Sequence, residues 1–393
     1  MGLFTRNRAL AIYLIAGTSF GGGLARNFLT PLRADQLGAN RLTIGLIATV
    51  GLLVAAALSL PSGYLTDRLG RRTMVLLSIA FGLLSQLLSA ATPSVWLLFV
   101  AAVIGGIGIG AAQTALFAAI VDTVEQQHVG RAMGWLTFSM QAGFLIGPAT
   151  AGVLLAAVSV QQDLWIVSAF WLAALALGFL VRGGARPASW RFEVVTELIR
   201  RPGFQAVLLG TLAIGMVWGT IQGYLPIFGV QGLRLPGSQV GFLLAVQAAV
   251  NGVSRLVAGR LTDRLRRQWP LVVAGVAFTS LAVMVLPHVM GFGPAVVVLG
   301  LSVPFTALAF IALSVSYANL STNENRGLVM GFYSSALFVG LGLGPAVYGP
   351  AMQASYVEGF TLCGSVGLAM AALVPAVRWA PRRTRSVVLP PAA

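Results

Sequence analysis

Apolar residues fall along this chain in continuous blocks. They show neither the alternation of a half-buried strand nor the one-sided stripe of a surface helix. Twelve blocks approach the length of about 20 residues that a helix needs to cross a bilayer. They lie at 9–29, 42–62, 73–91, 95–120, 133–157, 164–181, 205–228, 238–258, 269–288, 293–318, 328–350 and 357–377. Continuity excludes the in–out alternation of a membrane β-barrel. The pattern predicts an all-α membrane protein with twelve transmembrane helices, and an even count puts both chain ends on one side. Met1–Arg8 is a basic start, but the block from Ala9 to Leu29 is too long for the apolar core of a secretory signal and lacks a clear small-residue cleavage site. It reads as a retained first helix.

Composition agrees. Of 393 residues, 57% are hydrophobic and only 9% charged, against about 25% charged in a soluble domain. The net charge of +15 comes from 25 basic residues, all arginine, against 10 acids. Nucleic-acid binding would need those arginines on one wet face; here they punctuate the apolar blocks as topology signals. With both ends inside, 20 arginines fall in inner segments and three (Arg33, Arg41, Arg234) in outer ones. The positive-inside rule then places both termini in the cytoplasm and the chain in the plasma (cytoplasmic) membrane. The lone Cys363 and the distant His128 and His288 predict no disulfide, metal centre or cofactor. No nucleophile–base pair is legible, so an enzyme is not expected.

The chain repeats itself. Gly45 and Gly63 recur as Gly241 and Gly259, 196 residues later, while Gly134, Gly143, Gly147 and Pro148 recur as Gly331, Gly340, Gly344 and Pro345 after 197. Two parallel repeats related by an axis along the membrane normal are the expected cause. The predicted organisation is two pseudo-symmetric six-helix bundles, 1–181 and 205–378. A cytoplasmic linker, 182–204, joins them, and 379–393 forms a cytoplasmic tail. Within the linker, Ser189 could cap a short amphipathic helix with Phe192, Val195 and Ile199 on one face and the Glu197–Arg201 pair on another.

The stretch Gly63-x-Leu65-x-Asp67-Arg68-x-Gly70-Arg71-Arg72 resembles the signature loop between the second and third helices of the major facilitator superfamily. Twelve spans, the repeat and the basic linker extend that resemblance over the whole chain. The resemblance implies a cytoplasmic gate. Asp67 would face the start of the eleventh helix near Gly327–Gly331, Arg71 would pair with Asp122, and Gly63 would admit a close neighbour. The second copy is worn, with Arg266 in place of the glycine and Asn319 standing 197 residues after Asp122. Gly134, Gly143, Gly147, Pro148 and Gly152 look like the fifth-helix motif of the drug:proton antiporter branch, with Ala151 a departure, and so imply export. The fourth-helix motif of the family is also approached, but Ala102 occupies its arginine position. That arginine is associated with proton coupling, so protons remain an open partner.

Charges inside hydrocarbon are costly and mark function. All ten acids fall in loops or at helix ends, with Asp35, Asp163 and Glu358 outside. Arg26 and Arg255 lie within spans, where substrate binding and snorkelling are both open readings. Without a mid-membrane acid, the cavity is expected to prefer neutral or anionic amphiphiles over lipophilic cations. Its candidate lining is Arg26, Asn27, Gln113, Phe138, Gln141, Trp218, Gln222, Tyr224, Gln247, Asn251 and Arg255. The favoured reading is a monomeric secondary exporter of such compounds, with a small-molecule substrate and the lipid bilayer as its partners. A facilitator or importer of a small polar metabolite is the second reading, and a non-transporting membrane receptor or lipid-handling protein the third.

Overall fold

The computed structural model describes residues 3–125, 128–181, 202–265, 267–320 and 326–379. Twelve helical rods follow in order: α1 Leu3–Gln36, α2 Arg41–Leu69, α3 Arg71–Ala91, α4 Val95–Thr123, α5 Val129–Leu154, α6 in two pieces (Val160–Ile166 and Ser168–Gly178), α7 Pro202–Gln231, α8 Gly237–Arg264, α9 Trp269–Val285, α10 Phe292–Leu320, α11 Arg326–Ala354 and α12 Tyr356–Trp379. No strand occurs among the described residues. The amphipathic helix expected at Ser189–Arg201 and the tail from residue 380 lie outside them.

Several helices outrun the predicted blocks. The first block, 9–29, becomes a helix of 34 residues. Hydropathy senses only the hydrocarbon slab, while a helix continues into the polar layers until something stops it. Asn40 starts α2 by accepting from Thr43 N at 2.8 Å, and Ser94 starts α4 by accepting from Trp96 N. Ser159 and Gln162 form a reciprocal capping box on α6. Between α2 and α3 there is no loop. Gly70 alone turns the chain at φ +91°, which other residues reach only with strain. Ten helices are long and apolar enough to span a membrane among the described residues; α1 and α5 are not among them.

Asp163 lies at a helix end on the outer side, as expected, but it is fully buried one turn into α6, and neither carboxylate oxygen has a hydrogen-bond partner among the described residues. It sits within the first half, at the outer end of a rod packed on α1 and α3.

Taking the arginine-rich rim as the inner one, two antiparallel seams join the halves. In the first, α2 lies along α11. Leu42 meets Gly349, Thr49 Oγ1 donates to Gly342 O at 2.8 Å, Ser335 Oγ donates to Ala56 O at 2.8 Å, and Leu60 meets Gly331. The residue numbers of each pair add to 391, so the register holds over the whole contact. The second seam is its pseudo-symmetry mate, α5 against α8. A Cβ at Gly45 would lie 2.9 Å from Pro345 O, and one at Gly241 would lie 2.8 Å from Pro148 O.

The buried apolar residues are unevenly shared. At the outer end one cluster runs through both halves, from Phe28, Leu29 and Ile44 to Tyr224, Val240, Tyr348 and Phe360. At the inner end each half keeps its own: Ile12, Val75, Leu116 and Leu136 in the first, Ile214, Val272, Val276 and Leu313 in the second. The halves share one apolar core outside and keep separate ones inside, where the α2–α11 seam still joins them.

Candidate functional site

The inner rim is built at the α2–α3 turn. Because Gly70 starts α3 immediately, Arg71 points back into the bundle and is buried. Its Nε lies 2.8 Å from Asp122 Oδ2 at the end of α4, and its Nη1 donates to Thr66 O at 3.3 Å. This pins the inner ends of α2, α3 and α4 together. Arg68 and Arg72 are exposed, and Arg68 reaches only Tyr64 Oη, at 3.5 Å. Among the described residues a Cβ at Gly63 would meet only Thr114, at 3.9 Å, so none of them makes the close approach expected there. Along the α2–α11 register Asp67 lies beyond the Leu60–Gly331 contact, toward the start of α11 at Arg326. The side chains of Asp67 and residues 326–328 lie outside the described residues.

The fifth-helix motif is a packing surface on two sides. Gly143 and Gly147 sit on the backbone of α1 at Gly17 and Gly21, while Pro148 O and Gly152 face Gly241 of α8. Gly134 lies on α5, among residues whose side-chain surroundings are not described. The copy on α11 behaves alike: Gly340 and Gly344 sit on the α7 backbone at Gly215 and Met216, and Pro345 O faces Gly45. Geometry common to both halves serves the seams, so it does not by itself encode a direction.

Two polar groups emerge from the candidate lining. The first lies within the N-terminal bundle. Arg26 is buried, and its Nη1 hydrogen-bonds Ser85 Oγ of α3 and approaches Ala101 O of α4 at 3.5 Å, while Nη2 approaches Asn27 Oδ1 at 3.4 Å. The guanidinium occupies the space a side chain at Gly105 would fill. Arg26 therefore does not snorkel; it ties α1 to α3 and α4, and only its neighbour Asn27 is exposed.

The second group crosses the seam between halves. Asn251 Oδ1 on α8 accepts from Gln141 Nε2 of α5 at 3.2 Å and from Arg255 Nε at 2.8 Å. Tyr333 of α11 lies within electrostatic range of Arg255. Gln247, one turn outward, is buried with its Nε2 unpartnered among the described residues. Helical side chains lean toward the helix N-terminus, which for α8 is the outer end. Arg255 bends that way, toward the membrane centre, so snorkelling to the inner surface is not its role.

The other candidates stand apart from both groups. Gln113 and Gln222 are half-buried without a hydrogen bond among the described residues. Phe138 is exposed and packs edge-on against Trp135, and Trp218 meets Phe310 edge-on. Tyr224, expected as a cavity wall, is instead fully buried: Gly45 and Gly349 leave room for its ring, and its hydroxyl donates to Pro345 O at 3.0 Å. It is a strut of the outer core.

A clasp at the outer rim was not foreseen. Gln231, ending α7, donates to Asp35 Oδ1 at the end of α1 at 2.8 Å, and Tyr356 of α12 donates to Gln231 Oε1 at 2.8 Å. Arg41 stacks 4.0 Å over the Tyr356 ring and donates to Met352 O at 3.2 Å. Burial pushes the Asp35 carboxyl above its usual range, opposed by the Gln231 bond and the charge of Arg41. Thus outer ends of α1 and α2 are tied to those of α7, α11 and α12.

Twelve rods, two pseudo-symmetric seams, a shared outer core and a polar link between halves describe a two-bundle, all-α membrane protein. The family model described as Major Facilitator Superfamily matches residues 10–322. The chain belongs to that superfamily. It is an integral membrane transporter rather than an enzyme. Within the Major Facilitator Superfamily, similar proteins include the probable 4-methylmuconolactone transporter of Cupriavidus pinatubonensis, 27% identical over 80% of this chain and 77% of that protein. The multidrug resistance protein MdtG of Salmonella typhimurium is 27% identical over 91% of this chain and 90% of its own. Among solved structures, a bacterial homolog to the human lysosomal transporter Spinster, inward-facing and unoccupied, superposes with a TM-score of 0.75 at 17% identity, covering 96% of this chain and 97% of the other. A POT family transporter bound to a thioalcohol-conjugated peptide gives 0.73 at 13% identity, covering 94% and 96%. For this superfamily chain the outer clasp had a sequence signal: Asp35 and Gln231 are 196 residues apart, the period of the repeat.

Proposed function

We propose that the chain is a secondary active exporter of small amphiphilic, neutral or anionic compounds. It sits in the cytoplasmic membrane with both termini inside and works by rocking of its two halves. The observation that carries the mechanism is the division of the core, shared at the outer end and separate at the inner end. Such an arrangement faces inward. Export requires the outer cluster to part along the seams while the inner rims close, with the Arg71–Asp122 pair and Asp67 forming the inner gate. The seam between the halves carries Gln141, Asn251 and Arg255, polar or cationic and without a carboxylate partner, which favours neutral and anionic cargo. The multidrug name of the MdtG relatives supports export. The 4-methylmuconolactone relative supports the second reading, a facilitator or importer of a small organic anion.

Inverted membrane vesicles separate the two. The exporter accumulates an amphiphilic carboxylate inside such vesicles saturably, faster with an imposed pH gradient if protons drive it. Uptake only into right-side-out vesicles, or equilibration without accumulation, contradicts export.

A further inference from the structure

We infer that Arg255 is the anion-recognition residue of the central site and that the cargo class is amphiphilic carboxylates; this rests on the transporter reading above. Three features of the structure carry it. Arg255 lies 18 residues after the start of α8 at Gly237 and nine before its inner end at Arg264, about 14 Å from that end at 1.5 Å per residue, and its bond to Asn251, one turn outward, turns the side chain away from the inner surface. Its Nε is already used, donating to Asn251 Oδ1 at 2.8 Å. Its two Nη groups meet neither a carboxylate nor another hydrogen-bond acceptor among the described residues, and the side chain is only half-buried. A cation within a membrane span without an acid beside it is costly. A guanidinium fixed through Nε presents its remaining two-nitrogen edge as a planar fork, the shape that takes a carboxylate through two parallel hydrogen bonds.

Arg26 does not compete for this role. Its guanidinium is enclosed between α1, α3 and α4 and spends its hydrogen bonds on Ser85 and the Ala101 carbonyl. Arg255 instead sits on the seam that must move. Asn251 is its positioning residue. Its one acceptor oxygen takes donors from both halves, Arg255 on α8 and Gln141 on α5, so the aim of the fork depends on how the halves stand.

The test uses full-length protein in lipid nanodiscs, with 4-ethylbenzoate and its neutral isostere 4-ethylbenzamide as probes, titrated calorimetrically. The wild type binds the carboxylate at least tenfold more tightly than the amide. Arg255→Gln brings that ratio to near one with amide affinity unchanged. Arg255→Lys, which keeps the charge and loses the fork, gives an intermediate ratio. It also serves if Arg255→Gln fails to fold. Asn251→Leu lowers the ratio while leaving the charge in place, a change that mere destabilisation would not produce. A wild type indifferent to the charge, or an Arg255→Gln protein that keeps the preference, overturns the inference. Because binding is read without flux, carboxylate preference with inward transport would defeat only the export reading, and export without that preference would defeat only this one.

Discussion

The outer and inner ends of this molecule are built from the same helices and held in different ways. Outside, one apolar cluster passes through both halves, and Asp35, Gln231, Tyr356 and Arg41 lace α1, α2, α7, α11 and α12 across the rim. Inside, each half has its own core, and the strongest polar tie, Arg71–Asp122, stays within one half. The lesson is that rigidity within a half and contact between halves are separate properties. The inner arrangement keeps the first bundle intact while leaving it free to swing. The outer arrangement relies on small residues and single hydrogen bonds rather than on buried ion pairs, as suits the proposed seal that is remade on every cycle.

Overpacking the outer seam should have the largest effect. A side chain at Gly241 would press into Gly152 Cα and Pro148 O, and overpacking of this kind costs about 1–3 kcal/mol. Gly241→Leu should hold the outer rim apart and cut transport roughly tenfold or more, a bias of that size in a two-state equilibrium. Size-exclusion profiles should stay normal. Normal flux from this variant would mean the outer seal is not part of the cycle.

Next comes the inner tie. Asp122→Asn leaves Arg71 buried beside a neutral partner and should lower stability by up to about 3 kcal/mol, seen as a lower melting temperature in detergent. Asp67→Asn should slow turnover with little change in melting, since its level lies at the start of α11 rather than inside a bundle. Equal melting of all three proteins would show that the Arg71–Asp122 contact does not hold the inner ends of α2, α3 and α4.

The smallest effect belongs to Asp35. Its carboxyl is raised by burial, so the folded protein binds this proton more tightly than the unfolded chain. The associated stability is fully present below the ordinary carboxylate value and is lost as pH rises through the raised one. Asp35→Asn keeps the oxygen that accepts from Gln231 and should flatten that part of the stability–pH curve. An unchanged curve in the variant would assign the dependence to another group.

Much of this architecture was readable in advance, for physical reasons. Continuous apolar blocks announce helices in hydrocarbon, and the repeat marked the glycines and prolines that the structure then places at the seams, where Gly45 and Gly241 face the carbonyls of Pro345 and Pro148. What stayed hidden depends on side-chain direction. Tyr224 and Arg26 lie on the right helices but turn inward, one beneath two glycines and the other onto Ser85. Asp163 follows a loop-like stretch, yet the Ser159 cap draws it into α6 and buries it. Of the eleven lining candidates, Gln141, Asn251 and Arg255 are hydrogen-bonded together across the halves among the described residues, because they lie on the α5–α8 seam.

The central claim is that the two ends open in turn. Spin labels in a Cys363→Ser background, at Ala157 and Gln239 on the outer ends of the α5–α8 seam and at Arg72 and Leu265 on the inner rim, report it by paired distance measurements in nanodiscs. The account predicts two populations at each pair, with the outer distance lengthening as the inner one shortens when 4-ethylbenzoate is added. A single fixed distance at both pairs under every condition, or both pairs lengthening together, would contradict it.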